Sequence, residues 1–197
     1  MSVSSYLVPR TAGADWSVPA RAALTHTGWL PPCPVAAWFQ ACHDGRNLYL
    51  RMEAEESSVR AVLAGPLEQV CRDSCLEFFF APDGGARYFN FELNPLGTLC
   101  LGFGAGLAAR VRQVPKDLEP FRIEPYVTPK GWGVTFAVPA DFVRLYCPGF
   151  TLTGEMAANF YKCGDDTPTP HYLVWSPLTS PAPDFHRRQD FGRLIFG

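Results

Sequence analysis

Two stretches of this chain set carboxylates and amides among apolar residues, one of them at every second position, the spacing that gathers side chains on one face of a β-strand. One is Cys75-Leu76-Glu77-Phe78-Phe79-Phe80, and the other is Tyr88-Phe89-Asn90-Phe91-Glu92-Leu93-Asn94. Their shared chemistry is recognition of hydroxyl groups. A carboxylate accepts from two hydroxyls while an Asn amide both donates and accepts, so an alternating ladder suits vicinal diols. The same glutamates, Glu77 and Glu92, would suit hydrolysis if they flanked a glycosidic bond at about 5 to 9 Å. A third concentration of such groups lies near the C-terminus, in Asn159-Phe160-Tyr161-Lys162-Cys163, His171 to Pro177 and Pro183-Asp184-Phe185-His186. Asn159 and Tyr161 share a strand face, and Trp175 offers a flat apolar ring to the C–H side of a sugar. His171 and His186 flank a proline-rich stretch from Pro168 to Pro183, a length of loop that in compact domains is commonly functional. Trp16, Trp29, Trp38 and Trp132 read as core or loop packing.

The elements that position these groups follow from matched apolar faces. Leu76, Phe78 and Phe80 must meet Phe89, Phe91 and Leu93 across the turn at Pro82 to Gly85, because a one-residue slip would bury Asn90 and Glu92 against phenylalanine. Glu77 therefore shares a face with Tyr88, Asn90, Glu92 and Asn94, the residue directly opposite it being left open. Period-two alternation recurs at Leu48 to Ala54 and at Trp132 to Val138, where Pro139 stops the ladder. Asp44-Gly45 and Pro129-Lys130-Gly131 supply turns between such runs. Helical spacing is confined to Ser57 to Leu67 and Ala140 to Leu145. The expectation is an all-β chain: an antiparallel β-sandwich or jelly roll with one or two short helices, forming a single domain over residues 1–197.

Composition narrows the partners. With a formal net charge of −2 and charged residues at only 18%, no basic stripe is available for nucleic acid or an anionic membrane, which leaves a neutral ligand. The N-terminus lacks a basic segment followed by a long apolar one, and no run is long enough to span a membrane, so a cytoplasmic location is expected. Seven cysteines, several inside apolar strands, read as reduced thiols. Cys33, Cys42, Cys71 and Cys75 show no paired C-x-x-C spacing, so a zinc site is not expected. No nucleophile elbow, H-E-x-x-H or phosphate-binding glycine loop is present, which argues against an enzyme.

These segments, in this order and spacing from about Trp38 to Phe196, resemble bacterial proteins similar to family 9 carbohydrate-binding modules, a group related to the DOMON β-sandwiches. The resemblance implies non-catalytic binding of a neutral mono- or oligosaccharide on a concave sheet face, in the service of carbohydrate catabolism. With the reading of the residues above, it makes Glu77, Tyr88, Asn90, Glu92, Asn159, Tyr161, His171 and Trp175 the expected site. Two aromatics clamp the sugar in the modules proper, one shortly before the counterpart of Glu77. The corresponding stretch here, Val70 to Ser74, carries no aromatic, which implies weak affinity or a different ligand. No cofactor is expected. Calcium, which such modules often hold, would have to use the loop carboxylates Asp15, Asp73, Asp165 and Asp166. The alternatives are hydrolysis by the paired glutamates, haem binding in the manner of DOMON relatives, and an interaction domain with a decayed sugar site.

Overall fold

The alternating apolar runs do pair into strands. A computed structural model describes residues 3–27 and 29–197, and among them fourteen strands and one short α-helix run in the order β1 (Ser5–Val8), β2 (Ala22–Ala23), β3 (His26–Thr27), β4 (Ala36–His43), β5 (Asn47–Glu55), β6 (Cys75–Ala81), β7 (Tyr88–Leu93), β8 (Leu99–Gly104), β9 (Val111–Gln113), β10 (Glu124–Thr128), β11 (Gly131–Pro139), α1 (Ala140–Arg144), β12 (Gly154–Cys163), β13 (Tyr172–Val174) and β14 (Gly192–Phe196). They form two sheets. The larger runs β1-β14-β12-β6-β7-β8-β9, with β13 and β3 attached beside β12; the smaller runs β10-β11-β5-β4-β2. Every pairing between strands is antiparallel except β1 with β14.

The core lies between the sheets. Phe78, Phe80, Phe89, Phe91 and Phe160 from the larger sheet meet Phe39, Leu50, Met52, Trp132, Val134 and Phe136 from the smaller one. Phe39 stacks on Phe160 with centroids 3.5 Å apart, and Phe78 stacks on Phe160 at 4.8 Å. Met52 and Met156 belong to this core too, which leaves neither free to act as an axial haem ligand. The β4–β5 turn shows why its Asp-Gly pair is needed: Asp44 Oδ1 accepts from the backbone N–H of Arg46 and of Asn47 at 2.8 and 2.7 Å, and Gly45 takes a φ of 87°.

At one end of the sandwich a buried ionic network joins the sheets. Lys162 Nζ lies 3.2 Å from Glu56 Oε1 and donates to His171 Nε2 at 2.8 Å, while Trp132 Nε1 and Ser74 Oγ donate to the same carboxylate. Because a lysine can only donate, His171 Nε2 is the acceptor, and its Nδ1–H donates to the carbonyl of Thr169 at 2.8 Å. Burial and the neighbouring Lys162 charge hold the His171 pKa below its usual value.

The helix expected over Ser57 to Leu67 does not form. Its backbone donors are captured by side chains: Asp73 Oδ2 accepts from Val62 N and Leu63 N at 2.8 Å each, and Ser74 Oγ accepts from Arg60 N at 3.0 Å. Val59 and Val62 stay exposed, so the apolar spacing that suggested a helix has no surface to pack on. The second expected helix is α1, Ala140–Arg144.

Candidate functional site

The face of the larger sheet turned away from the core carries the polar ladder. Glu77 on β6 is directly opposite Glu92 on β7, and Phe79 is opposite Asn90, so the apolar-face argument placed Glu77, Tyr88, Asn90 and Glu92 on one surface. On the other flank of β6, Tyr161 of β12 is opposite Glu77 and Asn159 is opposite Phe79. This face is covered by chain segments rather than by a second sheet. The approach to β6 at 57–74, the β8–β9 connection and the long β12–β14 connection, apart from β13 within it, close over it around a second apolar cluster of Val70, Phe79, Tyr88, Tyr161, Phe185 and Phe191. Two backbone bonds, Asp165 N to Cys71 O and Asp166 N to Arg72 O, tie the long loop to the approach segment, reinforced by the Arg72–Asp166 ion pair.

The cover is incomplete above the two glutamates, leaving a cleft of about 310 Å³. Its floor holds Glu77, Glu92 and Cys163; one side holds Arg110, Arg112 and His186, and the opposite wall is made by Trp29, Tyr172 and Phe185. The wall is aromatic on edge and face. Trp29 meets Tyr172 at 5.5 Å with planes at 77° and lies 5.8 Å from Phe185, which in turn stacks on Tyr161 at 4.2 Å and 14°. Trp29 Nε1 donates to Ser180 O at 2.7 Å, fixing the ring against the proline-rich loop.

Electrostatics divides the glutamate pair. Arg110 Nη1 donates to Glu92 Oε1 at 2.9 Å and Asn90 Nδ2 donates to the same oxygen at 2.7 Å. Among the described residues Glu77 pairs with no cation and accepts only the thiol hydrogen of Cys163, at 2.9 Å. Burial pushes both carboxyls up; Glu92's charge pushes Glu77 further, well above the usual range, whereas Arg110 opposes the rise at Glu92. The surroundings thus favour the charged form at Glu92 more than at Glu77. His186 is held by the same arginine. Arg110 Nη1 can only donate to its Nε2, at 3.2 Å, so Nδ1 carries the hydrogen and faces the Tyr88 hydroxyl at 2.8 Å. Burial, followed by the Arg110 charge, depresses the His186 pKa to about 3.

The residues singled out from sequence divide into three groups. Glu77 and Glu92 line the cleft. Tyr88, Asn90, Asn159 and Tyr161 share the outer face but are buried beneath the cover: Asn159 exchanges hydrogen bonds with the backbone of Ser176 in both directions at 2.9 Å, and the Tyr161 hydroxyl donates to Phe185 O at 3.1 Å. Gly102, opposite Asn90, leaves the amide its space, since a Cβ there would come within 2.4 Å of Asn90 Oδ1. Trp175 and His171 lie elsewhere. Trp175 packs edge-on to Phe39 and Phe160 in the core between the sheets, so its ring has no face toward a sugar, and His171 belongs to the Lys162–Glu56 network.

Trp29, read from sequence as packing, is instead part of the wall. Arg110, Arg112 and Tyr172 gave no pattern in the sequence, because each reaches the cleft from a loop or short strand whose placement depends on tertiary contacts. The loop carboxylates also disperse. Asp15 accepts from Ser17, Asp73 is occupied by backbone N–H groups, Arg60 and Asn94, and Asp166 pairs with Arg72. Among the described residues none of these, nor Asp165 at the cleft, joins a cluster of three potential metal ligands.

Comparison with known proteins gives two kinds of match. Residues 26–196 match the family model described as carbohydrate-binding family 9. A candidate carbohydrate-binding protein from Bacteroides uniformis ATCC 8492 is 30% identical, with 100% of each chain covered and a TM-score of 0.87. A family 9 carbohydrate-binding module from Caldicellulosiruptor kristjanssonii in complex with glucose gives a TM-score of 0.70 at 12% identity, over 98% of this chain and 96% of that one. A family 9 module from the same organism in complex with cellotriose gives 0.68 at 12% identity, over 98% and 93%. No curated protein matches the sequence significantly.

Proposed function

The chain belongs to carbohydrate-binding family 9, and from that premise we propose that it binds a neutral mono- or oligosaccharide in the cleft over Glu77 and Glu92 without chemically changing it. The observation that carries the reading is the pairing of an opposed carboxyl couple with an aromatic wall across a cleft of about 310 Å³. A sugar ring has an apolar C–H face and a rim of hydroxyls. Trp29 and Phe185 suit the first, while the carboxyl groups of Glu77 and Glu92 suit the second. The volume falls at the low end of ligand pockets, about 300–1,000 Å³, which favours a terminal sugar unit over the middle of a long chain. Related modules hold glucose and cellotriose, in keeping with that choice.

Hydrolysis is the second reading, because the two carboxyl groups are direct cross-strand neighbours in unlike surroundings, with Arg110 against Glu92 alone. Their placement works against it. Glycosidase carboxyls flank the scissile bond, whereas Glu77 and Glu92 are neighbours on one face of one sheet and would approach a sugar from the same side. The reading further places the protein in a reducing compartment, supported by seven cysteines that are all unpaired.

A thermal-shift screen against neutral mono- and oligosaccharides tests the proposal, since a ligand of the native state raises the melting temperature with occupancy. Stabilisation by at least one neutral sugar, with that sugar recovered intact, is expected. Stabilisation accompanied by release of shortened products would favour hydrolysis.

A further inference from the structure

Beneath the cleft, two strands bring together groups that sequence spacing keeps far apart. Cys75 and Cys163 are directly opposed across the β6–β12 pair, and Glu77 lies two residues along β6 on the same face. The two thiol sulfurs and a Glu77 carboxyl oxygen lie within 4.8 Å of one another, all on buried residues. The shortest separation is the 2.9 Å between Cys163 Sγ and Glu77 Oε1. Cys163, Glu77 and a third cysteine, Cys71, also line the cleft, so the trio has an entry path and an open side.

We propose that Cys75, Cys163 and Glu77 form a zinc site whose fourth position opens toward the cleft, where water or the Cys71 thiolate completes the tetrahedron. The donor set selects the ion. Two thiolates and one carboxylate suit a borderline-soft cation, whereas calcium and magnesium take oxygen-rich shells. Tetrahedral bonds of about 2.3 Å to sulfur and 2.0–2.2 Å to oxygen put neighbouring ligand atoms roughly 3.5–3.8 Å apart. The observed spacing therefore needs side-chain rotation rather than movement of the sheet. Residues on paired strands are also held more rigidly than residues on loops.

The step balances as an exchange of protons for metal. Each thiol gives up its proton, as does Glu77 where it holds one; the protons leave to solvent, and the Cys163–Glu77 hydrogen bond is replaced by one bond from each residue to zinc. With water in the fourth position, three anionic ligands around a divalent ion leave one negative charge, beside Arg110; with the Cys71 thiolate there, whose proton also leaves to solvent, two remain. The site shares Glu77 and Cys163 with the floor of the cleft, but its readout needs no sugar.

The test uses the full chain kept in a phosphine reductant, stripped with chelator and titrated with Co²⁺ as a spectroscopic stand-in. One equivalent should produce thiolate-to-cobalt charge-transfer absorption in the near ultraviolet and the visible bands of a tetrahedral site, and Zn²⁺ should abolish both. Cys75→Ser and Cys163→Ser should each weaken binding at least about 100-fold, beyond the 10- to 100-fold typical of losing a supporting group. Cys42→Ser, in a different cluster, should bind as the parent does. No charge-transfer absorption in the parent chain, or its retention in the folded double variant, would overturn the site. Should the serine variants fail to fold, alkylation followed by mass spectrometry decides with the parent alone. Zinc must slow modification of Cys75 and Cys163 but not of Cys33, and unchanged rates would refute the proposal.

Discussion

The two faces of the larger sheet are made by the same strands, yet one is sealed and the other holds a cleft. Toward the smaller sheet, Phe78, Phe80, Phe89, Phe91 and Phe160 are covered by another layer of alternating apolar side chains. Away from it, Glu77, Tyr88, Asn90, Glu92 and Tyr161 are covered by loops. A sheet used as a lid has its backbone groups committed to its own ladders and can offer only side chains to the face below. A loop used as a lid also offers carbonyls and charged residues, such as Phe185 O to Tyr161 and Arg110 to Glu92. Polar groups can then be buried with partners, and where loops fail to meet, a cleft remains.

That contrast sets an order of expected effects. Phe78→Ala, on the sealed face, should cost the most, about 4 kcal/mol in urea unfolding, because the second sheet cannot collapse into the space of a ring. Lys162→Met should follow at about 3 kcal/mol, since it leaves Glu56 buried without its cation while preserving bulk. On the covered face, Phe185→Ala should lower the melting temperature by only a few degrees. It should nonetheless speed amide exchange in the Pro183 to Phe191 segment and weaken sugar binding, because Phe185 joins floor to wall.

At neutral pH the smallest effect is that of His186, which shows only in acid. His186 has a folded pKa depressed to about 3 from its ordinary 6.5, so below pH 6.5 the unfolded chain binds the proton more readily than the folded one. Its contribution to stability is present above pH 6.5 and is lost as the pH falls toward 3. His186→Gln should therefore flatten the fall in melting temperature between those values while changing it little at pH 8. An unchanged acid limb in the variant would show that His186 does not carry that dependence.

What was legible in the sequence follows the same division. The sealed face writes itself as alternation: Leu76, Phe78 and Phe80 against Phe89, Phe91 and Leu93 fixed the register, and with it the common face of Glu77, Asn90 and Glu92. The covered face depends on where loops land. Trp29 reaches the wall through a hydrogen bond to Ser180, 151 positions away, and nothing local distinguishes it from a packing tryptophan. Trp175 misled for the converse reason. It follows β13 in a polar, proline-rich neighbourhood, but its ring turns inward onto Phe39. The helix over Ser57 to Leu67 was lost to Asp73 and Ser74, whose competition for backbone donors has no periodicity to reveal it. Cys75 and Cys163 met only once the β6–β12 pairing was known.

The central claim, that the loop-covered face binds neutral carbohydrate between its carboxyl floor and its Trp29 wall, is tested most directly by calorimetry. The parent chain and Trp29→Ala would be titrated with glucose and short cello-oligosaccharides, with circular dichroism confirming that both are folded. The account predicts saturable one-site binding to the parent with Kd about 1 mM, near −4 kcal/mol, and loss of measurable binding in Trp29→Ala. Equal affinity in the two proteins, or no heat from the folded parent with any neutral saccharide, would contradict it.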